Sequence, residues 1–386
     1  MVVSLSMDEL RRLRMRSQCL SGELPMTAYE ALRRVTALQA QDTPAARLAV
    51  RPRSMAVTAA DVTRACNEER AIVRTWAMRG TLHMLPVEDV RWMVALLGPI
   101  FTARYHSRRL ELGLDAALCA RTMSLLREIL AEHGGCTRGD LIHALTNKGL
   151  AIDPSSQAPA HLVMYAAMQG VICRGAEHSE DEPTYVLLDE WVGQRGGQRA
   201  PDDALAELAR RYIRAYGPAD ADDFAAWAGI PLTTARRGVQ LITGELIPVT
   251  IAGEPAWMLP DSGQDSADDQ TQAPCVRLLP AFDAWLLGYR RRDFTLPPRF
   301  ARTIQAGGGW IHPVVVVDGI VVGAWRLQRR TGPSRPAHRD PGEHLSVSVQ
   351  PFEPLDPALL PALEAQALDI GRFLNASAQL TMLVPW

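Results

Sequence analysis

At 386 residues and 42.4 kDa the chain has room for two or three domains. Its 47% hydrophobic and 22% charged residues exclude wholesale disorder, and a formal net charge of −2 excludes a polybasic tail. That balance leaves nucleic acid open as a partner, because local stripes of charge matter more than the sum. Lys148 is the sole lysine beside forty arginines. Codon bias in a GC-rich genome accounts for the skew, and the skew leaves one side-chain amine for Schiff-base chemistry. No run of about 18 apolar residues is present to span a membrane. The N-terminal stretch meets charge after seven residues and lacks a signal-peptide core, so a cytoplasmic protein is expected. Six cysteines, scattered singly without a CxxC pair, read as reduced thiols. His133, Cys136 and His143 lack a fourth ligand nearby, and neither a metal nor a cofactor is expected.

The first 200 residues read as helices interrupted by short strand pairs. Apolar residues recur at helical spacing over 8–18 and 27–40, and Asp61 begins a third helix. Residues 71–86, AIVRTWAMRGTLHMLP, then alternate around a central glycine as a hairpin does. Helices follow at 88–100 and 116–132. Three helices and a hairpin are the order of a winged helix, and the order returns. The second pass has helices at 118–134, 137–149 (capped by Thr137 with Asp140 three residues on) and 158–170, then strands within 171–188. The third begins after the joint 194–203, has three helices, and ends in a hairpin over 247–259 that turns at Gly253. Because the repeat is one of pattern and not of identity, it is read from periodicity alone. We expect winged helices over 1–115, 116–195 and 196–262. The polar stretch 261–272 reads as a linker to a β-rich, arginine-rich segment over 273–386. That segment holds the run 276–289, a hairpin over 312–330 turning at Asp318-Gly319, a strand over 345–352 and a helix over 357–376.

Residues 274–342 carry eleven arginines against four acidic residues, a net of +7 that leaves −9 for the remainder. Such polarity suits one face to phosphates. Its densest cluster is Arg290-Arg291-Arg292 behind Tyr289, with Arg299 and Arg302 following and Arg326, Arg329 and Arg330 ending the hairpin. A merely solvated arginine face is the competing reading.

Four segments carry a resemblance: TALQAQDTP (36–44), RTWAMRGTLHMLP (74–86), LLPAFDAWLLGYRRRD (278–293) and GWIHPVVVVDGIVVGAWR (309–326). Together, and in this order, they resemble the AlkZ/YcaQ family of bacterial winged-helix DNA glycosylases from about residue 5 to the C-terminus. The resemblance implies an α+β fold of three tandem winged helices in a C-shaped, DNA-cradling body. It implies excision of alkylated purines from double-stranded DNA, interstrand crosslinks included in some members, by a monomer. The family's catalytic Gln-Φ-Gln or Gln-Φ-Asp motif falls on Gln39-Ala40-Gln41, similar to the branch that protects producers of DNA-alkylating antibiotics.

The residues support that chemistry on their own. In a helix, positions 39 and 41 would point about 200° apart. Pro44 disfavours helical backbone at Thr43, so the helix from residue 27 is expected to end near Gln39. In extended geometry residues two apart share a side, and both amides converge on one water. An amide cannot take a proton as a carboxylate does, but it orients water and turns a carbonyl dipole towards a cationic sugar. That suffices when the leaving group is a cationic N7- or N3-alkylated purine, which departs neutral. Asp42 reads as a weak base or a turn-former. Arg79, Thr81 and His83 of the first hairpin, Asp283 and Trp285 two apart on a strand, Arg290, Arg291, Arg292 and His312 are the expected DNA or substrate contacts. For His83 a buried structural role competes, for Asp283 pairing with a nearby arginine, and His312 divides in a similar way. Two non-enzymatic readings stand beside the glycosylase: a winged-helix regulator or damage sensor, and a protein that sequesters the alkylator.

Overall fold

The computed structural model describes residues 3–179, 182–260, 273–329 and 344–386. The expected linker 261–272, like Arg330 at the end of the arginine-rich hairpin, lies outside the described residues.

The chain opens with strand β1 (Val3–Leu5) and helix α1 (Met7–Ser17), started by a reciprocal cap between Ser6 and Glu9. Thr27 and Glu30 repeat the device for α2 (Ala28–Val35). There follow β2 (Leu38–Gln39), α3 (Thr43–Val50) and α4 (Ala59–Asn67), the last started by Thr58 and Asp61. The hairpin β3 (Ile72–Trp76) and β4 (Leu82–Pro86) leads into α5 (Val90–Arg104) and α6 (His106–Glu111). A second pass runs α7 (Ala116–His133), β5 (Cys136–Thr137), α8 (Arg138–Asn147), α9 (Ala158–Met168), β6 (Ile172–Ser179) and β7 (Glu182–Leu187). The Thr137–Asp140 capping box stands as expected. A short α10 (Leu188–Val192) leads to the third pass: α11 (Pro201–Tyr216), α12 (Ala221–Ala228), α13 (Leu232–Leu241), β8 (Ile247–Ile251) and β9 (Glu254–Met258). Helix, short strand, two helices and a hairpin thus recur. In the third pass a single bridge between Ala219 and Trp257 takes the short strand's place. The tail adds β10 (Val276–Leu279), α14 (Ala284–Leu287), α15 (Ala301–Ile304), β11 (Val314–Val317), β12 (Ile320–Arg329), β13 (His344–Pro351), α16 (Leu360–Leu374) and β14 (Ser377–Met382).

Three local expectations are corrected. The helix expected over 27–40 stops at Val35, where Thr36 takes a positive φ of 69°. Thr43 is helical despite Pro44, because a proline in the first turn lacks only an N–H that has no partner there anyway. Residues 280–289 hold the short α14 where a strand was expected. The strands β1 and β14 are additions; each pairs in parallel, β1 with β8 and β14 with β13.

The chain groups into two compact units: Met1–Val62 with Arg210–Trp227 and Ile242–Trp386, and Thr63–Ala209 with Ala228–Leu241. In the second, the strands follow the order β4-β3-β6-β7-β5, over a core of Leu126, Ile129, Leu130, Leu141, Leu162 and Ile172. The first holds the small sheet β1-β8-β9 and the five-stranded sheet β10-β11-β12-β13-β14. Val314, Val315 and Val316 of β11 are buried, and α16 packs Leu363, Ala367, Ile370 and Phe373 inward against β10 and β14. Gly371 permits that approach, since a Cβ there would stand 2.7 Å from the Ala376 carbonyl oxygen.

At the centre of the first unit, Arg53 and Asp283 form a fork-to-fork ion pair shut off from solvent, with Nη–Oδ distances of 2.6 and 2.8 Å. Removing one partner strands a buried charge, which costs about 3–5 kcal/mol. Asp283→Ala is therefore expected to lower the unfolding free energy by about that amount in urea denaturation. A loss below about 1 kcal/mol would contradict the weight given to the pair.

Candidate active site

Gln39 and Gln41 are brought together by the early end of α2. Tyr216 donates its hydroxyl hydrogen to the Val35 carbonyl (3.1 Å), and Thr36 donates to the Arg211 carbonyl (3.5 Å). The chain leaves this anchor in extended form. Leu38 and Ala40 turn into the core, while Gln39 is half-buried and Gln41 exposed. Side chains two apart then share a face, and Gln39 Nε2 donates to Gln41 Oε1 over 3.2 Å. The small Ala40 fits because it is the residue that points inward. Asp42 accepts the Ala45 N–H at 2.9 Å as the cap of α3. Of its two expected roles, the structure gives it the turn-forming one.

Helix α3 carries this loop to the buried pair. It runs into Arg51-Pro52-Arg53, and Arg53 donates to the Ala49 carbonyl (2.8 Å) as well as to Asp283. Gln18 links Arg53 to Tyr289, which in turn donates to the Tyr216 carbonyl (3.0 Å). Arg51 reaches the C-terminal sheet, donating to Asp369 (2.6 Å) and to the Leu278 carbonyl (2.7 Å). Burial lowers the pKa of Arg51, and the Asp369 carboxylate opposes that shift.

Arg79, Thr81 and His83 lie together in the second unit, on the β3–β4 hairpin. Arg79 and Gly80 turn it with φ of 56° and 70°. Gly229 lies so close that a Cβ would stand 2.6 Å from Arg79 Cα. His83 is buried; its Nδ1 donates to the Thr81 carbonyl (2.9 Å), which leaves Nε2 to accept from Arg79 Nη2 (3.3 Å). Burial, and then the Arg79 charge, push its pKa down to about 3. His83 thus takes the buried structural role that competed with a phosphate or lesion contact: a neutral acceptor that orients Arg79.

Of the two roles expected for Asp283, the structure shows the pairing with an arginine. Asp283 and Trp285 are both buried. Asp283 holds Arg53 and caps α14 by accepting the Trp285 N–H (2.8 Å), while the Trp285 indole donates to Thr295 (2.7 Å). The arginine triplet is divided. Arg290 is exposed and ion-paired with Asp222, Arg291 is exposed, and Arg292 is half-buried with its Nε on the Leu286 carbonyl (2.6 Å). Burial lowers the pKa of Arg292. His312 is half-buried, and its backbone N–H donates to the Ile304 carbonyl (3.0 Å).

Arg51 and Arg53 escaped sequence reasoning, since nothing marks two arginines among forty. The available signal was Asp283 itself: a carboxylate inside an apolar run is rarely buried without a cation. Among the described residues, no group of three or more His, Cys, Asp and Glu side chains could hold a metal ion, and no helix is long and apolar enough to cross a membrane.

Residues 32–373 match the family described as DNA glycosylase AlkZ-like. The chain belongs to this family. A relative, the "Interstrand DNA cross-link repair glycosylase" of Streptomyces sahachiroi, is 27% identical over 325 residues, covering 81% of this chain and 86% of the relative. The solved structure of Streptomyces sahachiroi DNA glycosylase AlkZ matches with a TM-score of 0.81 at 25% identity, across 99% of this chain and 100% of that one. The expected family and α+β fold are thus borne out, and this AlkZ-like chain is a DNA glycosylase by family.

The neutral His83 has a consequence for stability. Unfolded, it titrates near 6.5; folded, near 3. Between these values the unfolded chain binds the extra proton, so stability is retained above pH 6.5 and lost as pH falls, by up to about 1.4 kcal/mol per pH unit. Unfolding free energies of wild type and His83→Gln from about pH 7 to about pH 5 should show a shallower decline in the variant. Parallel curves would contradict the assignment.

Proposed function

We propose that this DNA glycosylase hydrolyses the N-glycosidic bond of N7- or N3-alkylated purines in double-stranded DNA, with Gln39 and Gln41 as its catalytic residues. The hydrogen bond between the two amides carries this reading, because it makes a single polar unit of two side chains that can hold one water. With its carbonyl oxygen engaged by Gln39, Gln41 keeps N–H donors for the water oxygen. The carbonyl dipoles accept hydrogen bonds from the water without taking its proton, and face the developing positive charge on the sugar. The C1′–N bond breaks with its electron pair going to the purine, which leaves neutral. Water adds to C1′ and gives its surplus proton to solvent. No general acid is required, and His83, neutral and engaged, supplies none.

The cross-link repair named for the Streptomyces relative supports extending the substrates to crosslinked purines, and with them a part in self-resistance to an alkylating antibiotic. We read the three recurring passes as winged helices, a module whose usual partner is DNA. Exposed Arg291, and Arg79 as oriented by His83, are the proposed phosphate contacts. His312 is kept as a proposed contact beside them.

The product is proposed to be an intact abasic site. Strand cleavage by a glycosylase ordinarily needs an amine, and Lys148 is held by Glu128 at 2.6 Å, a contact that raises its pKa and keeps it protonated. Purified protein with methylated duplex DNA is expected to release free 7-methylguanine and leave a strand that only added alkali or a separate endonuclease cuts. Duplex binding without base release would instead favour the regulator. A borohydride-trapped protein–DNA adduct, lost on Lys148→Ala, would overturn the monofunctional assignment.

A further inference from the structure

Of the nine tryptophans, seven are buried or largely so, and Trp386 leans on Phe352 at the C-terminus. Trp310 is 45% and Trp386 53% exposed, and what sets Trp310 apart is its turn. Trp310 ends a turn of three successive glycines, Gly307, Gly308 and Gly309, with φ of 91°, 58° and 81°, closed by the Trp310 N–H on the Gly307 carbonyl (2.9 Å). A Cβ at any of the three would meet nothing within 4 Å. The glycines therefore serve backbone conformation and not packing, and the turn they make presents an indole. Phe282 supports that indole from one side, with ring centroids 4.8 Å apart at 77°. Phe282 is itself fixed, since its neighbour Asp283 is locked to Arg53.

The flanking sequence is suited to a polyanion. Residues 294–317 contain Arg299 and Arg302 and no Asp or Glu. Arg302 is exposed, and Arg299, also exposed, pairs with Glu353 at 2.7 Å. A rigidly supported aromatic in an acid-free, arginine-bearing segment combines the two elements that hold unstacked bases: a π face and phosphate-neutralising charge.

We propose that Trp310 is a stacking platform for a nucleobase of the bound DNA. The proposal rests on the glycosylase reading above and adds a residue to it. The test is fluorescence anisotropy of a labelled duplex carrying one alkylated purine. Trp310→Ala should weaken binding roughly tenfold, while Trp310→Phe and Trp386→Ala stay within about twofold of wild type. Equal binding by wild type and Trp310→Ala overturns the platform and leaves the glycosylase standing. A wild type that binds no duplex overturns both. Should Trp310→Ala lose its cooperative melt, wild-type protein irradiated on a 5-iodouracil-substituted duplex decides the matter. A crosslink mapped to the Trp310 peptide supports the platform, and crosslinks confined to other peptides overturn it.

Discussion

A guanidinium and a carboxylate withdrawn from water hold the first unit of this molecule together. Arg53 lies at the end of the segment that begins with Gln39-Ala40-Gln41, and Asp283 lies between the C-terminal sheet and the arginine-rich loop. An ion pair so deep gives little net stability over an apolar equivalent, but its geometry tolerates no slack. Through Gln18, Tyr289 and Tyr216 the same network reaches Val35, where α2 ends. Both ends of the glutamine loop are thus tied to one buried polar cluster, and a loop held at both ends keeps its side chains in place without rearrangement.

Two amides are weak tools for bond cleavage. They become adequate when the substrate brings its own positive charge, because the departing purine then needs no proton. A carboxylate at either position would stabilise a sugar cation more strongly and also serve as a base. The proposed reliance on glutamines therefore ties activity to lesions already primed to leave. It also agrees with the positions of the other titratable groups: Asp42 is engaged as a helix cap and His83 in orienting Arg79.

Much of this was legible in the sequence. Capping pairs such as Thr137 with Asp140, the Asp318-Gly319 turn and the period of the helices mark most elements, and the helix–hairpin order shows the repeat. The convergence of Gln39 and Gln41 followed from the two-residue period of extended chain. What failed did so for definable reasons. The end of α2 is set by Thr36 and its tertiary anchor, which no local propensity encodes. The alternation around Asp283 and Trp285 resembles a strand, and an arginine partner for Asp283 is legible there, but not which one, because Arg53 stands 230 residues away in sequence. The parallel strands β1 and β14 are short, and their partners are distant or separated from them by a helix, so neither has a local signal.

The central claim is that Gln39 and Gln41 act as one unit, and a double-mutant cycle on single-turnover base release tests it most directly. Each alanine variant should slow excision by roughly 10²-fold or more with little change in DNA affinity. The doubly substituted protein should be scarcely slower than either single variant, since the water is lost with the first amide. Rate losses that multiply would show two independent groups, and unchanged rates in both single variants would remove the pair from the chemistry altogether.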